Sequence, residues 1–228
     1  MIKVIIFDLD DTLYNEMQFV KGGFYAVASY ISQRCETSLN EIYKLLITTL
    51  DKQGRGKVFD ICLKILNVYE EKIISQLVDI YRMHKPQLEL FPEVNDVLNK
   101  LKNNGHKLGL ITDGDVRVQE SKVRALRIER LFDCIIFSRK YGIKQEKPNT
   151  FVYYKALEVL GVSAECAVYI GDNPHKDFAG AKKMGIITIR IVRGQHKGVK
   201  LAKKYEADFQ ILTLSEIFSV LNKLRQKI

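Results

Sequence analysis

The strongest constraint on the fold is a repeated alternation of short apolar runs with helix-patterned stretches. Residues 2–7, IKVIIF, are apolar and β-branched without alternation, as in a strand buried on both faces. Similar runs recur at His106–Thr112, Cys134–Ser138, Ala167–Ile170 and Ile186–Val192. Helical patterns lie between them, at Glu93–Asn104, Val116–Leu126, Thr150–Leu160, Lys176–Met184 and Ser215–Leu224. In the first of these, Val94, Val97, Leu98 and Leu101 make one apolar stripe. Gly105, Gly161 and Gly185 stand where such helices would end in a left-handed cap. The pattern predicts an α/β fold, a parallel sheet covered on both faces.

One stretch breaks the rhythm. From about Asn15 to Lys85 only helices are expected: Phe19–Cys35, Leu39–Leu50, Lys57–Leu66 and Glu70–Met83. Roughly 70 residues of helix exceed any ordinary crossover, so this stretch reads as an inserted subdomain. The expected division is a core of residues 1–14 and 86–228 and a helical insert of 15–85, with Pro86 and Pro92 marking the return.

Composition narrows the class. In 228 residues, 46% hydrophobic and 28% charged describe a chain that buries a real core and is not disordered. No apolar run approaches the roughly 20 residues that span a bilayer, so no membrane association is expected. The net charge of +9 could attract nucleic acid or an acidic membrane, could equally draw in a small anionic substrate, and has as its plain reading a solvated lysine-rich surface. Its basic residues are scattered except at Lys197, Lys200, Lys203 and Lys204, without aromatic interleaving, so nucleic acid is not an expected partner. Cys35, Cys62, Cys134 and Cys166 are far apart and form no CxxC, which argues against a zinc or redox motif. With no signal-like N-terminus, the economical expectation is a reduced, cytoplasmic protein.

The chemistry gathers at the carboxyl ends of the strands, where open parallel sheets bind ligands. The first strand ends in Asp8-Leu9-Asp10-Asp11-Thr12. Asp8 and Asp10 share an orientation if the strand continues, and two such carboxylates repel unless a cation or a proton intervenes. A solvated acidic turn is the plain alternative. The second strand ends at Thr112, followed by Asp113-Gly114; a hydroxyl and backbone N–H groups at a helix start receive anions, although Thr112 also suits a simple cap. The fourth ends in Gly171-Asp172-Asn173-Pro174-His175-Lys176-Asp177. Asp172 and Asp177 add carboxylates to an oxygen-rich cluster that suits Mg²⁺, with Asp177 also able to cap a helix. Lys147, ahead of Pro148, is either a surface lysine or one that neutralises a phosphate or holds Asp8.

In this order the motifs resemble those of the haloacid dehalogenase-like superfamily, in its phosphatase branch with a helical cap between the first two motifs. DxDxT is present as Asp8, Asp10 and Thr12, the second motif as Thr112, the third as Lys147, and GDxxxxD as Gly171, Asp172 and Asp177. The stretches ITDGDVRVQESKVRAL and FDCIIFSRKYGIKQEKPNTFVYYKALEVLGV have the form common in this branch, and the likeness extends over nearly the whole chain. Sialic acid 9-phosphate phosphatases and nucleotide 5′-phosphatases carry similar motifs.

The resemblance implies a Rossmann-like core and a phosphatase acting on a small phosphomonoester: a sugar phosphate, a sugar-acid phosphate or a nucleotide. Asp8 would be the nucleophile that forms an aspartyl-phosphate. Asp10 would protonate the leaving alcohol and then take a proton from water, a task that favours a raised pKa, which neighbouring carboxylates would supply. Asp8, the backbone carbonyl of Asp10, and Asp172 would bind Mg²⁺. Thr112, the N–H groups around Asp113, and Lys147 would hold the phosphate, Thr12 would shape the loop, and Asp177 would support the metal site. A dehalogenase lacks an Asp equivalent to Asp10, so phosphoryl chemistry is favoured over halide displacement. A phosphomutase uses the same pair and stays open as an alternative, as does a silent binding protein of the same fold.

In the insert, Arg55 and Lys57 of Lys52–Lys57 are candidates for substrate selection, against the alternative of an exposed loop. Tyr14, Phe19, Tyr25 and Phe59 are aromatic residues at helical spacing and read as core rather than pocket. His175 reads as a solvated loop residue. Monomer and homodimer both fit the sequence.

Overall fold

The structure is a computed structural model that describes residues 1–226; the last two positions of the expected core segment, 227 and 228, lie outside the described residues. Among the described residues six strands form one parallel sheet: β1 (Val4–Phe7), β2 (Lys107–Thr112), β3 (Cys134–Phe137), β4 (Ala167–Gly171), β5 (Ile187–Ile191) and β6 (Phe209–Ile211). Their order is β3-β2-β1-β4-β5-β6. The fold is therefore the α/β, Rossmann-like arrangement expected.

Strand β1 is buried at every residue, which explains its unbroken apolar sequence. It pairs with β2 on one side and β4 on the other, with Phe7 opposite Leu110 and Ile170. The strand order reverses at β1, so a crevice opens between the carboxyl ends of β1 and β4, where such sheets take ligands.

The helices are α1 (Met17–Ser32), α2 (Leu39–Gln53), α3 (Val58–Ile65), α4 (Glu71–Met83), α5 (Val94–Asn103), α6 (Val116–Ala125), α7 (Thr150–Leu160), α8 (Ala179–Lys183) and α9 (Ile217–Arg225). The side chains of Val4, Ile6, Ile111, Ile136 and Tyr169 pack with Val152, Tyr153, Ala156 and Leu160 of α7 in one core cluster. The alternate residues Ile5 and Phe7 are equally buried, and Phe7 meets Phe132 edge-on with ring centroids 6.2 Å apart. Helix α7 starts at the Asn149 side chain, which accepts from the Phe151 N–H at 2.9 Å, and ends at Gly161 in the left-handed region at φ 68°.

The chain forms two compact units, one of Met1–Glu16 and Glu89–Ile228 and the other of Met17–Leu88. The second unit contains α1 to α4 around its own core of Val20, Phe24, Val27, Ile42, Leu46, Cys62 and Leu77. Helix α2 begins with a reciprocal capping box between Ser38 and Glu41.

Two elements differ from the sequence reading. Helix α8 starts at Ala179 rather than Lys176, because Asn173–Asp177 folds into a turn with the Asp177 N–H donating to the Asn173 carbonyl at 2.9 Å. The three-residue strand β6 was not anticipated; among the described residues it pairs with β5 alone, on the sheet's edge.

Candidate active site

The turn after β1 begins on the sheet itself. The Asp8 N–H donates to the Ile170 carbonyl at 2.8 Å, so the register with β4 fixes where the Asp8 side chain starts. Its carboxylate accepts a hydrogen bond from the Lys147 ammonium. Lys147 is 5% exposed; its Nζ also donates to Asp177 Oδ1 at 2.8 Å and to the Tyr169 hydroxyl at 3.0 Å. Tyr169 in turn donates to Asp177 Oδ1 at 3.0 Å. Lys147 is thus no surface lysine: of the roles left open by the sequence, holding Asp8 is the one these contacts display.

Asp177 is placed by a close approach that only glycine allows. A Cβ at Gly171 would lie 2.3 Å from Asp177 Oδ2. That oxygen accepts from the Asn173 N–H at 2.8 Å, and the Asp177 carbonyl accepts from the Tyr153 hydroxyl at 2.8 Å. The loop beyond β4 is pinned at both ends of this residue.

Asp8, Asp172 and Asp177 each offer a carboxylate oxygen, all within 4.8 Å of one another, and all three residues are buried. Asp172 Oδ2 is buried with no hydrogen-bond partner. Three hard oxygen donors and an orphaned buried carboxylate oxygen fit a small divalent cation such as Mg²⁺. The electrostatics agree. Burial pushes the Asp172 carboxyl up to about 10, with Asp177 and Asp8 adding repulsion that Lys147 only partly offsets. Burial likewise lifts Asp8 to about 8, against the lowering pull of Lys147. Burial alone would discharge Lys147, but Asp177 and Asp8 outweigh it and hold the ammonium well above its ordinary range.

Asp10 faces different partners. Its Oδ1 accepts from the Tyr14 hydroxyl at 2.5 Å and from Lys122 Nζ at 2.7 Å; its Oδ2 accepts from Gln119 Nε2 at 3.0 Å and from the same Lys122 at 2.9 Å. The expectation of a raised pKa is overturned. Burial does push the carboxyl up, but Lys122, Tyr14 and Gln119 together bring it below the ordinary aspartate value. The nearest carboxylates in the chain are not what decides its charge.

Thr112, at the end of β2, is buried, and its Oγ1 shares Gln119 Nε2 with Asp10. The neighbouring backbone is less available than the sequence suggested: the Gly114 N–H donates to Glu146 Oε1 at 3.1 Å, and Glu146 is held by Arg139 at 2.6 Å. Asp113 Oδ1 accepts from the Lys147 N–H at 3.2 Å, joining the second motif to the third. The Thr12 carbonyl accepts from Arg193, whose guanidinium lies 3.8 Å above the Phe91 ring and 2.7 Å from Glu93. Asp11, at φ 53°, accepts from the Glu16 and Gln195 N–H groups, each at 2.9 Å. These contacts shape the loop in which Thr12 sits. His175 is exposed, as read.

The structure therefore brings together Asp8, Lys147, Asp172 and Asp177 as one cluster, with Asp10 and Thr112 joined through Gln119. Arg55 and Lys57 belong to the other unit, both exposed, between Gly54 at φ 70° and Gly56 at φ 117° and the start of α3. Sequence reasoning missed Gln119, Lys122 and Tyr169, and set Tyr14 aside as core. Gln119 and Lys122 carried a signal: they are three apart on the helix that follows the second motif, hence on one face.

Comparison with known proteins gives a consistent picture. The family described as haloacid dehalogenase-like hydrolase matches residues 5–191. A glyceraldehyde 3-phosphate phosphatase of Methanocaldococcus jannaschii is 35% identical over 99% of this chain and 100% of its own length. Among solved structures, a HAD phosphatase from Thermococcus onnurineus has a TM-score of 0.65 at 25% identity, covering 96% of this chain and 98% of that one. A 2-haloacid dehalogenase from Pseudomonas syringae has a TM-score of 0.67 at 26% identity, covering 98% of this chain and 100% of that one.

Proposed function

The chain belongs to the haloacid dehalogenase-like hydrolase family and is a phosphoric monoester hydrolase of it; on that premise we propose that it is an Mg²⁺-dependent phosphatase of small sugar phosphates, working through an aspartyl-phosphate on Asp8. The observation that carries this reading is the buried group of Asp8, Asp172 and Asp177 tied by Lys147, with a separately held Asp10 in the same turn. Glyceraldehyde 3-phosphate, the substrate in the relatives' names, is the first candidate.

Asp8, Asp172 and the Asp10 carbonyl would hold the cation, with Asp177 in support. Bound there, Mg²⁺ would offset the repulsion between the phosphoryl oxygens and the Asp8 carboxylate. Lys147 pulls Asp8 toward its ionised form against burial and holds it in place. Thr112 and the Asp113 N–H would receive phosphoryl oxygens. An Asp8 oxygen bonds to phosphorus as the bond to the alcohol breaks, and Asp10, which must enter this step protonated against the ionising pull of Lys122, Tyr14 and Gln119, supplies the proton that the departing oxygen needs. Asp10 then takes a proton from water as that water's oxygen displaces Asp8 from phosphorus. An enzyme that displaces halide needs no such proton, so the well-held Asp10 separates this chemistry from that of the dehalogenase neighbour.

The helical unit is read as the cap, with Arg55 and Lys57 selecting substrate. The same reading sets the enzyme in the reduced cytoplasm; Cys35, Cys62, Cys134 and Cys166 are all free thiols. No helix among the described residues is long and apolar enough to cross a membrane.

The test is phosphate release from p-nitrophenyl phosphate and from glyceraldehyde 3-phosphate, with Mg²⁺ and with EDTA. Turnover that needs Mg²⁺ and vanishes in Asp8→Asn supports the reading. Turnover that persists in EDTA, or in Asp8→Asn, refutes it, and isomerisation without phosphate release would indicate a phosphomutase.

A further inference from the structure

Lys122 has no place in the four motifs, yet it is 3% exposed on α6, whose Arg117 and Arg124 face solvent. Burying an ammonium is costly, and an apolar side chain of similar volume usually serves stability as well or better. Lys122 forms ion pairs with Asp10, at 2.7 Å, and with Glu16, at 4.0 Å. Its Nζ reaches both oxygens of Asp10, which fixes the plane of the carboxylate rather than merely neutralising it.

Gln119 lies one turn earlier on the same face. It is 2% exposed, and its single Nε2 spans Asp10 Oδ2 and Thr112 Oγ1. The amide therefore registers the proton-transferring carboxylate against a hydroxyl read as a phosphate ligand.

We propose that Lys122 and Gln119 are positioning residues that hold the Asp10 carboxylate in line with the leaving-group oxygen, so that their loss costs most where the leaving group most needs a proton. This rests on the phosphatase reading above. In the first step the oxygen–phosphorus bond to Asp8 forms, the bond from phosphorus to the alcohol oxygen breaks, and the Asp10 proton ends on that oxygen. An alkoxide is a poor leaving group without the proton; p-nitrophenolate departs readily as an anion. A misaimed Asp10 therefore harms the alkyl ester selectively, whereas a merely loosened fold harms both esters alike.

The experiment compares kcat/KM for propyl phosphate and p-nitrophenyl phosphate in the wild type, Lys122→Met, Gln119→Met and Asp10→Asn, each with a native circular dichroism spectrum. This ratio reports the steps up to loss of the alcohol. General acid catalysis is worth about 10²–10⁴-fold, so removing its alignment is expected to cost propyl phosphate roughly 10- to 100-fold and p-nitrophenyl phosphate less than about threefold, in the pattern set by Asp10→Asn. Lys122→Arg, which keeps charge and paired donors, restores part of the loss. Equal losses on both esters, or no loss on either, overturn the proposal. If Lys122→Met does not fold, Gln119→Met decides by the same criterion. The two readings fail separately: positioning falls when Asp8→Asn is dead yet the esters suffer alike, whereas an active Asp8→Asn removes the phosphatase reading itself.

Discussion

Lys147 Nζ lies 2.8 Å from Asp177 Oδ1 while the same ammonium hydrogen-bonds Asp8, so one buried cation joins the turn after β1 to the loop after β4. Lys147→Met leaves the carboxylates of Asp8, Asp172 and Asp177 without that charge. Removing one partner of a buried pair costs about 3–5 kcal/mol, which urea unfolding of the chelated protein would measure. Phosphatase turnover is expected to disappear in the same variant, and a fully active Lys147→Met would contradict the role given to it.

Protons stand in for a cation when Mg²⁺ is chelated. Asp172 is lifted from 3.8 to about 10 and Asp8 from 3.8 to about 8, chiefly by burial. Between the ordinary value and these raised values the folded protein binds protons that the unfolded chain has released. Stability of the chelated protein is therefore full at the acid side and falls as pH rises through about 4 to 10. Thermal melts across pH in EDTA would show the slope. Asp172→Asn flattens it, and saturating Mg²⁺, which binds the folded state, lifts the alkaline end. A chelated protein that gains stability over this range would contradict the assignment.

Gly171 admits Asp177 at a distance that no Cβ tolerates, 2.3 Å to Oδ2. Gly171→Ala must displace the carboxylate or the loop that carries it. Disturbing a support of this kind weakens metal affinity by about 10- to 100-fold. An Mg²⁺ titration of activity would read this as a shift to higher concentration, with turnover at saturation reduced less.

Tyr14 tests whether an aromatic residue in a core position also serves chemistry. Its ring is wholly buried and its hydroxyl donates to Asp10 at 2.5 Å. Tyr14→Phe keeps the packing and removes one donor of a charge-assisted bond, a loss of about 1–3 kcal/mol to the ionised carboxylate. The Asp10 pKa rises, and the limb of the kcat profile that Asp10 sets moves to higher pH, the acidic limb where its base role limits and the alkaline limb where its acid role does. A variant with an unmoved limb would show that the hydrogen bond is incidental.

The sheet was legible because β1, β2, β4 and β5 are fully or largely buried and so are rich in apolar residues, unbroken in β1 and at Ile187, Ile189 and Ile191 in β5. Strand β6 was not, since its three residues pair on one side only and Gln210 is exposed. Asp8, Thr112, Lys147 and Asp172 were found because each ends a strand or precedes a helix, positions that the alternation itself marks. The partners of Asp10 were hidden by distance along the chain: Gln119 and Lys122 share one face of α6, the signal they carried, but polarity by itself assigns such a face to solvent. The direction of the Asp10 pKa followed the same error, because carboxylates near in sequence were weighed and the lysine on α6 was not.

In the proposed mechanism Asp8 carries the phosphoryl group during turnover. Acid quenching of the enzyme during hydrolysis of glyceraldehyde 3-phosphate, followed by peptide mass analysis, addresses it directly. One added phosphoryl group is expected on the peptide containing Asp8, present with Mg²⁺ and absent in Asp8→Asn. Sustained turnover with that peptide never modified, or with the group on another residue, would contradict it.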